Sequence, residues 1–118
     1  MNTLSSFSDF SSCDYADFLE QNSFMDHGIR PLHLSSSRLV GKAYTVRCDA
    51  GDNLMVHAAI YKAPPGSILV IDAGDVRSAV AGGNVCATAQ QRGIKGFIID
   101  GVIRDVGEIR RLDFSVYA

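Results

Sequence analysis

One pattern in this 118-residue chain constrains the fold more than any other. A short, uninterrupted apolar run occurs twice, S-I-L-V-I-D at 67–72 and G-F-I-I-D at 96–100, each entered through a glycine and each closing on an aspartate. Runs of this length, rich in β-branched residues and without polar alternation, are what strands look like when both faces of their sheet are covered. Between them, the Ala- and Gln-rich stretch from Asn84 to Arg92 favours a helix and stops at Gly93, a residue suited to the position just past a helix C-terminus. Strand, helix and strand in succession predict parallel strands joined by a crossover, the α/β class.

The remaining segments extend that reading. Leu39 to Cys48 alternates well enough to be a strand with one covered face. Asp52 or Asn53 can cap a helix through Leu54, Val56, Ile60 and Tyr61, which must stop before Pro64-Pro65-Gly66. Residues 73–83, A-G-D-V-R-S-A-V-A-G-G, read as a glycine-punctuated crossover, and a last short helix over roughly 106–111 precedes the strand-like F-S-V-Y. Upstream, Ser11 or Ser12 can cap a short helix carrying Tyr15, Phe18 and Leu19 on one face and ending near Asn22. Residues 27–37, with Gly28, Pro31 and three serines, read as an irregular connection, and residues 1–10 are expected to be flexible.

This length supports a single domain, 1–118, around one core. The chain stops at Ala118 within or just after a strand, with no cap, turn or polar tail behind it. That is the expectation for a domain truncated at its C-terminus, with a sheet edge and apolar surface left uncovered.

Composition excludes several function classes. The net charge of -2, with basic residues scattered apart from Arg110 and Arg111, provides no field for nucleic acid. Cys13, Cys48 and Cys86 are an odd number at wide spacing with no C-x-x-C pair, and read as buried, reduced thiols rather than zinc ligands or disulfides. The first ten residues lack a basic start and an apolar stretch, and no apolar run approaches the ~20 residues that cross a bilayer. A cytoplasmic protein without a membrane partner is expected.

In a parallel sheet, ligands gather at the carboxyl ends of strands. After Asp72 come Asp75 and then Gly82-Gly83-Asn84-Val85, which should open a helix whose free N–H groups form a cradle for a carboxylate. After Asp100 come Arg104, able to grip a carboxylate bidentately, and Asp105, a hard oxygen ligand for magnesium or manganese. Each has a plainer reading. Asp105 and Glu108 have the D-x-x-E spacing of a capping box, Arg104 could pair with Asp100 or Glu108 at the surface, and the glycines could serve a turn. His57 has no second histidine at ligand spacing, and Cys86 has no base in sequence to activate it. A dinucleotide fingerprint fails because the glycines lie at 82 and 83 while the strand ends at 72.

The run G-G-N-V-C-A-T-A-Q-Q-R-G-I-K-G-F-I-I-D-G-V-I-R-D-V-G-E-I-R, 82–110, resembles the signature of the RraA-like family, with L-V-G-K-A-Y-T-V, Asn53 to Ala59 and A-P-P-G-S-I-L-V-I-D similar to its preceding elements. The family holds 4-hydroxy-4-methyl-2-oxoglutarate aldolases with oxaloacetate decarboxylase activity and regulators of ribonuclease E. The resemblance implies a swivelling β/β/α domain assembled as a homotrimer, and a divalent-metal-dependent lyase cleaving small 2-oxo dicarboxylic acids to pyruvate. It implies that Arg104 binds the substrate carboxylate, that Asp105 holds magnesium or manganese, and that the backbone of Gly82, Gly83, Asn84 and Val85 contacts substrate. The cation would stabilise the enolate formed as the bond breaks. The regulators typically lack the acid matching Asp105, so its presence favours the enzyme over a non-catalytic protein that binds a ribonuclease. A methyltransferase, a label some relatives carry, finds no supporting glycine pattern. The chain departs from many of the aldolases at Gly83, where they have an acid that holds metal-bound water; Asn84 or Asp75 is left to substitute. The family also continues for some tens of residues past the segment matching Phe114 to Ala118, and in some members an acid there reaches a neighbouring subunit's site.

Overall fold

Parallel pairing organises the computed structural model, which describes residues 6–34 and 38–118. The elements are α1 (Ser12–Ala16), a 3-10 turn (Gln21–Ser23), β1 (Lys42–Arg47), α2 (Leu54–Lys62), β2 (Ser67–Asp72), β3 (Ala79–Ala81), α3 (Gly83–Gln91), β4 (Gly96–Asp100), β5 (Val102–Ile103), α4 (Val106–Leu112) and β6 (Ser115–Tyr117). Four strands form one parallel sheet in the order β1-β2-β4-β6, and β3 with β5 forms a second, two-stranded parallel sheet. Register aligns Arg47 with Asp72 and Asp72 with Asp100, so three strands end level with one another. This is the expected α/β domain of the β/β/α kind.

The two apolar runs are the centre of the core. Leu69 and Ile71 on β2, Phe97 and Ile99 on β4 and Val116 on β6 are buried together with Val56 and Ile60 of α2, Cys86 and Ala89 of α3 and Ile109 of α4. Phe97 and Phe114 meet edge to face with ring centroids 5.1 Å apart, the arrangement their quadrupoles favour. β1 is largely exposed apart from Tyr44 and Val46, as expected of a strand with one covered face. Gly93 adopts φ +85 after α3, as the helix stop requires.

Five expectations need correction. Cys13 is exposed rather than buried, because the helix that carries it, α1, buries none of its residues. α1 is only five residues long: Ser11 and Asp14 make a reciprocal capping box, but the helix ends at Ala16. Of the predicted apolar face only Tyr15 packs, against Phe7 and Phe10, while Phe18, beyond the helix end, is 90% exposed. The crossover at 73–83 contains β3, and the turn after Asp100 contains β5; at three and two residues neither is long enough to show a period. Finally, the outer edge of β6 is not bare. Residues 30–32 run antiparallel to it, with the Leu32 N–H donating to the Val116 carbonyl (2.8 Å) and the Ala118 N–H to that of Arg30 (3.0 Å). Pro31 stands opposite Tyr117 between these bonds, where a missing N–H costs nothing. The expected flexibility of residues 1–5 and the serines at 35–37 lie outside the described residues. No helix among those described is long and apolar enough to cross a membrane.

Candidate active site

The small sheet assembles the site. β5 runs beside β3, and the Arg104 N–H donates to the Ala81 carbonyl (3.1 Å), which lays Arg104 and Asp105 against the head of α3. Asp105 precedes α4 in a left-handed conformation, φ 62 and ψ 41, and makes no side-chain cap bond to its own helix. Its Oδ2 accepts the N–H of Gly83 instead, at 3.0 Å. The D-x-x-E spacing therefore does not close as a capping box. Gly82 is needed for this approach: a Cβ there would stand 2.5 Å from Asp105 Oδ2 and 3.1 Å from Arg104 Cγ.

The space in front is a cleft of about 280 Å³. Its floor is β3 with Ser78 and Gly82, its walls Gly51, Asp52 and Asn53 on one side and Asn84, Val85, Arg104 and Asp105 on the other. Asn53 ties the first wall to the floor through Nδ2, which donates to the Val80 carbonyl (3.3 Å), and Asp52 Oδ1 accepts the Leu54 N–H (2.8 Å). The first intrahelical bond of α3 runs from the Cys86 N–H to the Gly82 carbonyl. The amides of Asn84 and Val85 therefore have no acceptor in their own helix and are donors for an anion in the cleft. Arg104 is 78% exposed and its Nε lies 3.8 Å from Asp105 Oδ2, a pairing weak enough to yield to a substrate carboxylate. Behind the amides, the fully buried Cys86 thiol is pushed up to about 12, chiefly by burial and secondly by the negative charge of Asp105. It is inert as a nucleophile.

Of the residues singled out in the sequence, Gly82, Gly83, Asn84, Val85, Arg104 and Asp105 come together here. Asp75 does not: its Oδ1 accepts the Arg77 N–H (3.3 Å) outside the cleft lining. Asp100 lines a separate groove with Asp26, Arg47 and Asp72, and His57 is exposed on α2. Arg104 pairs with neither Asp100 nor Glu108. The wall from Gly51 to Asn53 and Ser78 were not anticipated as site residues. The rule that pointed to the ends of β2 and β4 applies equally to the end of β1, and would have found Gly51 to Asn53.

Among the described residues no three His, Cys, Asp or Glu side chains converge as a metal cage. The cleft offers two carboxylates, Asp105, 40% exposed, and Asp52, one of whose oxygens already accepts the Leu54 N–H. That suits a magnesium-type ion, which keeps several waters and takes its remaining oxygens from substrate, and does not suit structural zinc or calcium.

Comparison with known proteins agrees with this architecture. A family model described as RraA-like, Aldolase/RraA, matches residues 11–118. A protein of Halalkalibacterium halodurans provisionally named 4-hydroxy-4-methyl-2-oxoglutarate aldolase is 41% identical over 103 residues, covering 86% of this chain and 49% of its own length. The chain thus spans about half the length of that relative. A solved structure from Geobacillus kaustophilus, described as an S-adenosylmethionine:2-dimethylmenaquinone methyltransferase, is 36% identical with a TM-score of 0.64, over 77% of this chain and 52% of that one. The RNA-processing inhibitor RraA from Thermus thermophilis shares the fold with a TM-score of 0.77 at 24% identity, over 92% of this chain and 66% of that one.

Proposed function

We propose, given that this chain belongs to the RraA-like family, that its cleft holds a small 2-oxo dicarboxylic acid against a divalent cation and breaks a carbon–carbon bond to release pyruvate. The observation that carries this reading is the side-by-side placement of Arg104 and Asp105 next to two free helix amides, a cation, an anion and an oxyanion cradle within one small cleft. Aldol cleavage of 4-hydroxy-4-methyl-2-oxoglutarate, the activity in the relative's name, and decarboxylation of oxaloacetate both fit.

Arg104 clamps the carboxylate next to the 2-oxo group with its planar fork, and the amides of Asn84 and Val85 orient the same end. Asp105, pinned by the Gly83 N–H, presents its carboxylate to the cation. Magnesium or manganese, when bound, supplies Lewis-acid polarisation of the 2-oxo group. The C3–C4 bond breaks with its electron pair passing to the pyruvate half as an enolate; in the aldol cleavage a water of the open cleft takes the proton of the 4-hydroxyl as that oxygen becomes the carbonyl of the departing oxoacid, and water returns a proton to C3 in either reaction. The other half departs as carbon dioxide or as a second oxoacid. A homotrimer is part of the same proposal: Leu54 and Met55, both exposed beside Asn53, offer apolar surface for a neighbouring subunit next to the cleft.

The test is pyruvate release from oxaloacetate and from 4-hydroxy-4-methyl-2-oxoglutarate, with magnesium or manganese and with chelator, for the chain and for Asp105→Ala. Metal-dependent release lost in the variant is the expected result. A folded sample with no release from either substrate overturns the lyase reading in favour of the non-catalytic one, in which a pull-down recovers a ribonuclease.

A further inference from the structure

We infer that Glu108 is a positioning residue of this site, an outer carboxylate beside Asp105 that takes hydrogen bonds from the waters a magnesium-type cation retains. The inference rests on the cation reading above. Gly83, the first residue of the nine-residue α3, is buried, and two acids flank it. Its N–H is held by Asp105 Oδ2. Its Cα is covered by Glu108: a Cβ at this position would fall on the Glu108 carboxylate, 2.5 Å from Cδ and 3.0 Å from Cγ.

The Glu108 carboxylate has no hydrogen-bond or ion-pair partner among the described residues. In a capping box it would turn back to the N–H of Asp105, but no such bond forms, and its side chain crosses from α4 to the head of α3. It is exposed and covers none of the core. The positive end of α3 tolerates a second acid beside Asp105. A cation held by one carboxylate keeps waters that need acceptors, and outer acceptors of this kind set affinity. Glu108 is the carboxylate placed to be one. Gly83 has no left-handed backbone to demand glycine, and a side chain there would have to displace the Glu108 carboxylate.

The experiment is manganese titration followed by electron paramagnetic resonance of the free ion, with thermal unfolding recorded alongside. The shape-preserving Glu108→Gln is expected to weaken manganese binding about tenfold, the low end for an outer partner, with an unchanged melting temperature. Moving the acid across the contact, in Gly83→Asp with Glu108→Ala, is expected to restore most of the affinity. Binding by Glu108→Gln equal to that of the unaltered chain, while Asp105→Asn has lost it, overturns the role of Glu108 alone. Undiminished binding by Asp105→Asn overturns both this inference and the cation reading beneath it.

Discussion

Two aspartates bracket α4 in the same left-handed conformation, Asp105 before it at φ 62 and Asp113 after it at φ 52, and they serve opposite ends. After a helix, a left-handed residue is the ordinary way to stop, and Asp113 does no more than that, its exposed side chain 3.4 Å from His33 Nε2. Before a helix, the cap residue is normally extended with its side chain folded onto its own first turn. Asp105 departs on both counts. Its backbone costs about 1 kcal/mol or more, and no cap bond offsets this. What the conformation achieves is the delivery of a carboxylate to the Gly83 N–H at the edge of the cleft. The same dihedral angles mark a helix stop at one end and a contact to a second helix at the other, and only the destination of the side chain tells them apart.

The contrast can be broken most directly with glycine at each position. Asp105→Gly is expected to lower metal-dependent pyruvate release by a hundredfold or more while leaving the denaturation midpoint unchanged or higher, since glycine accepts the left-handed backbone freely. A large loss of stability instead would show Asp105 to be a structural residue. Next in size is Gly82→Ala, whose methyl displaces the Asp105 carboxylate; manganese affinity measured by calorimetry should fall tenfold or more, in line with loss of a positioning contact.

The charge of Asp105 can also be sensed from below, through Cys86. Burial pushes both Cys48 and Cys86 above the ordinary 9.0, and Cys86 to about 12 with help from Asp105. A thiol raised in the fold contributes stability that is intact below pH 9 and is lost as the unfolded chain ionises, so denaturation midpoints should fall between pH 9 and 12. At pH 8 an alkylating reagent should reach the exposed Cys13 and spare the other two until the chain unfolds. Asp105→Gly should soften the alkaline decline. The smallest effect belongs to Asp113→Gly: stability within about 1 kcal/mol of the unaltered chain and full activity, because the weak His33 contact and the relieved backbone act in opposite directions.

Much of the main sheet is legible in the sequence. The runs at 67–72 and 96–100 announce buried strands through composition alone, and the Ala-rich stretch ending at Gly93 announces its helix, because burial on both faces and helix propensity are written locally. The N-terminal region was less legible. Tyr15, Phe18 and Leu19 have helical spacing, yet α1 ends at Ala16, since spacing does not create a surface to pack against. β3 and β5 are not legible, because three and two residues carry no period, although they are the elements that build the candidate site.

The sequence by itself determined the class of the fold, the order of its main elements and which groups to look for in a candidate cleft, Arg104, Asp105 and the residues at the head of α3. These follow from local pattern and residue chemistry, which no distant contact can change. The tertiary structure decided where those groups point. D-x-x-E spacing is compatible with a capping box or with two acids reaching across to another helix, and the pairing of β5 with β3 brought α4 close enough to α3 for the second. The glycines at 82 and 83 are likewise explained only by what packs on them, Asp105 and Arg104 on the one and Glu108 on the other, because room for a side chain is a property of neighbours brought together by the fold.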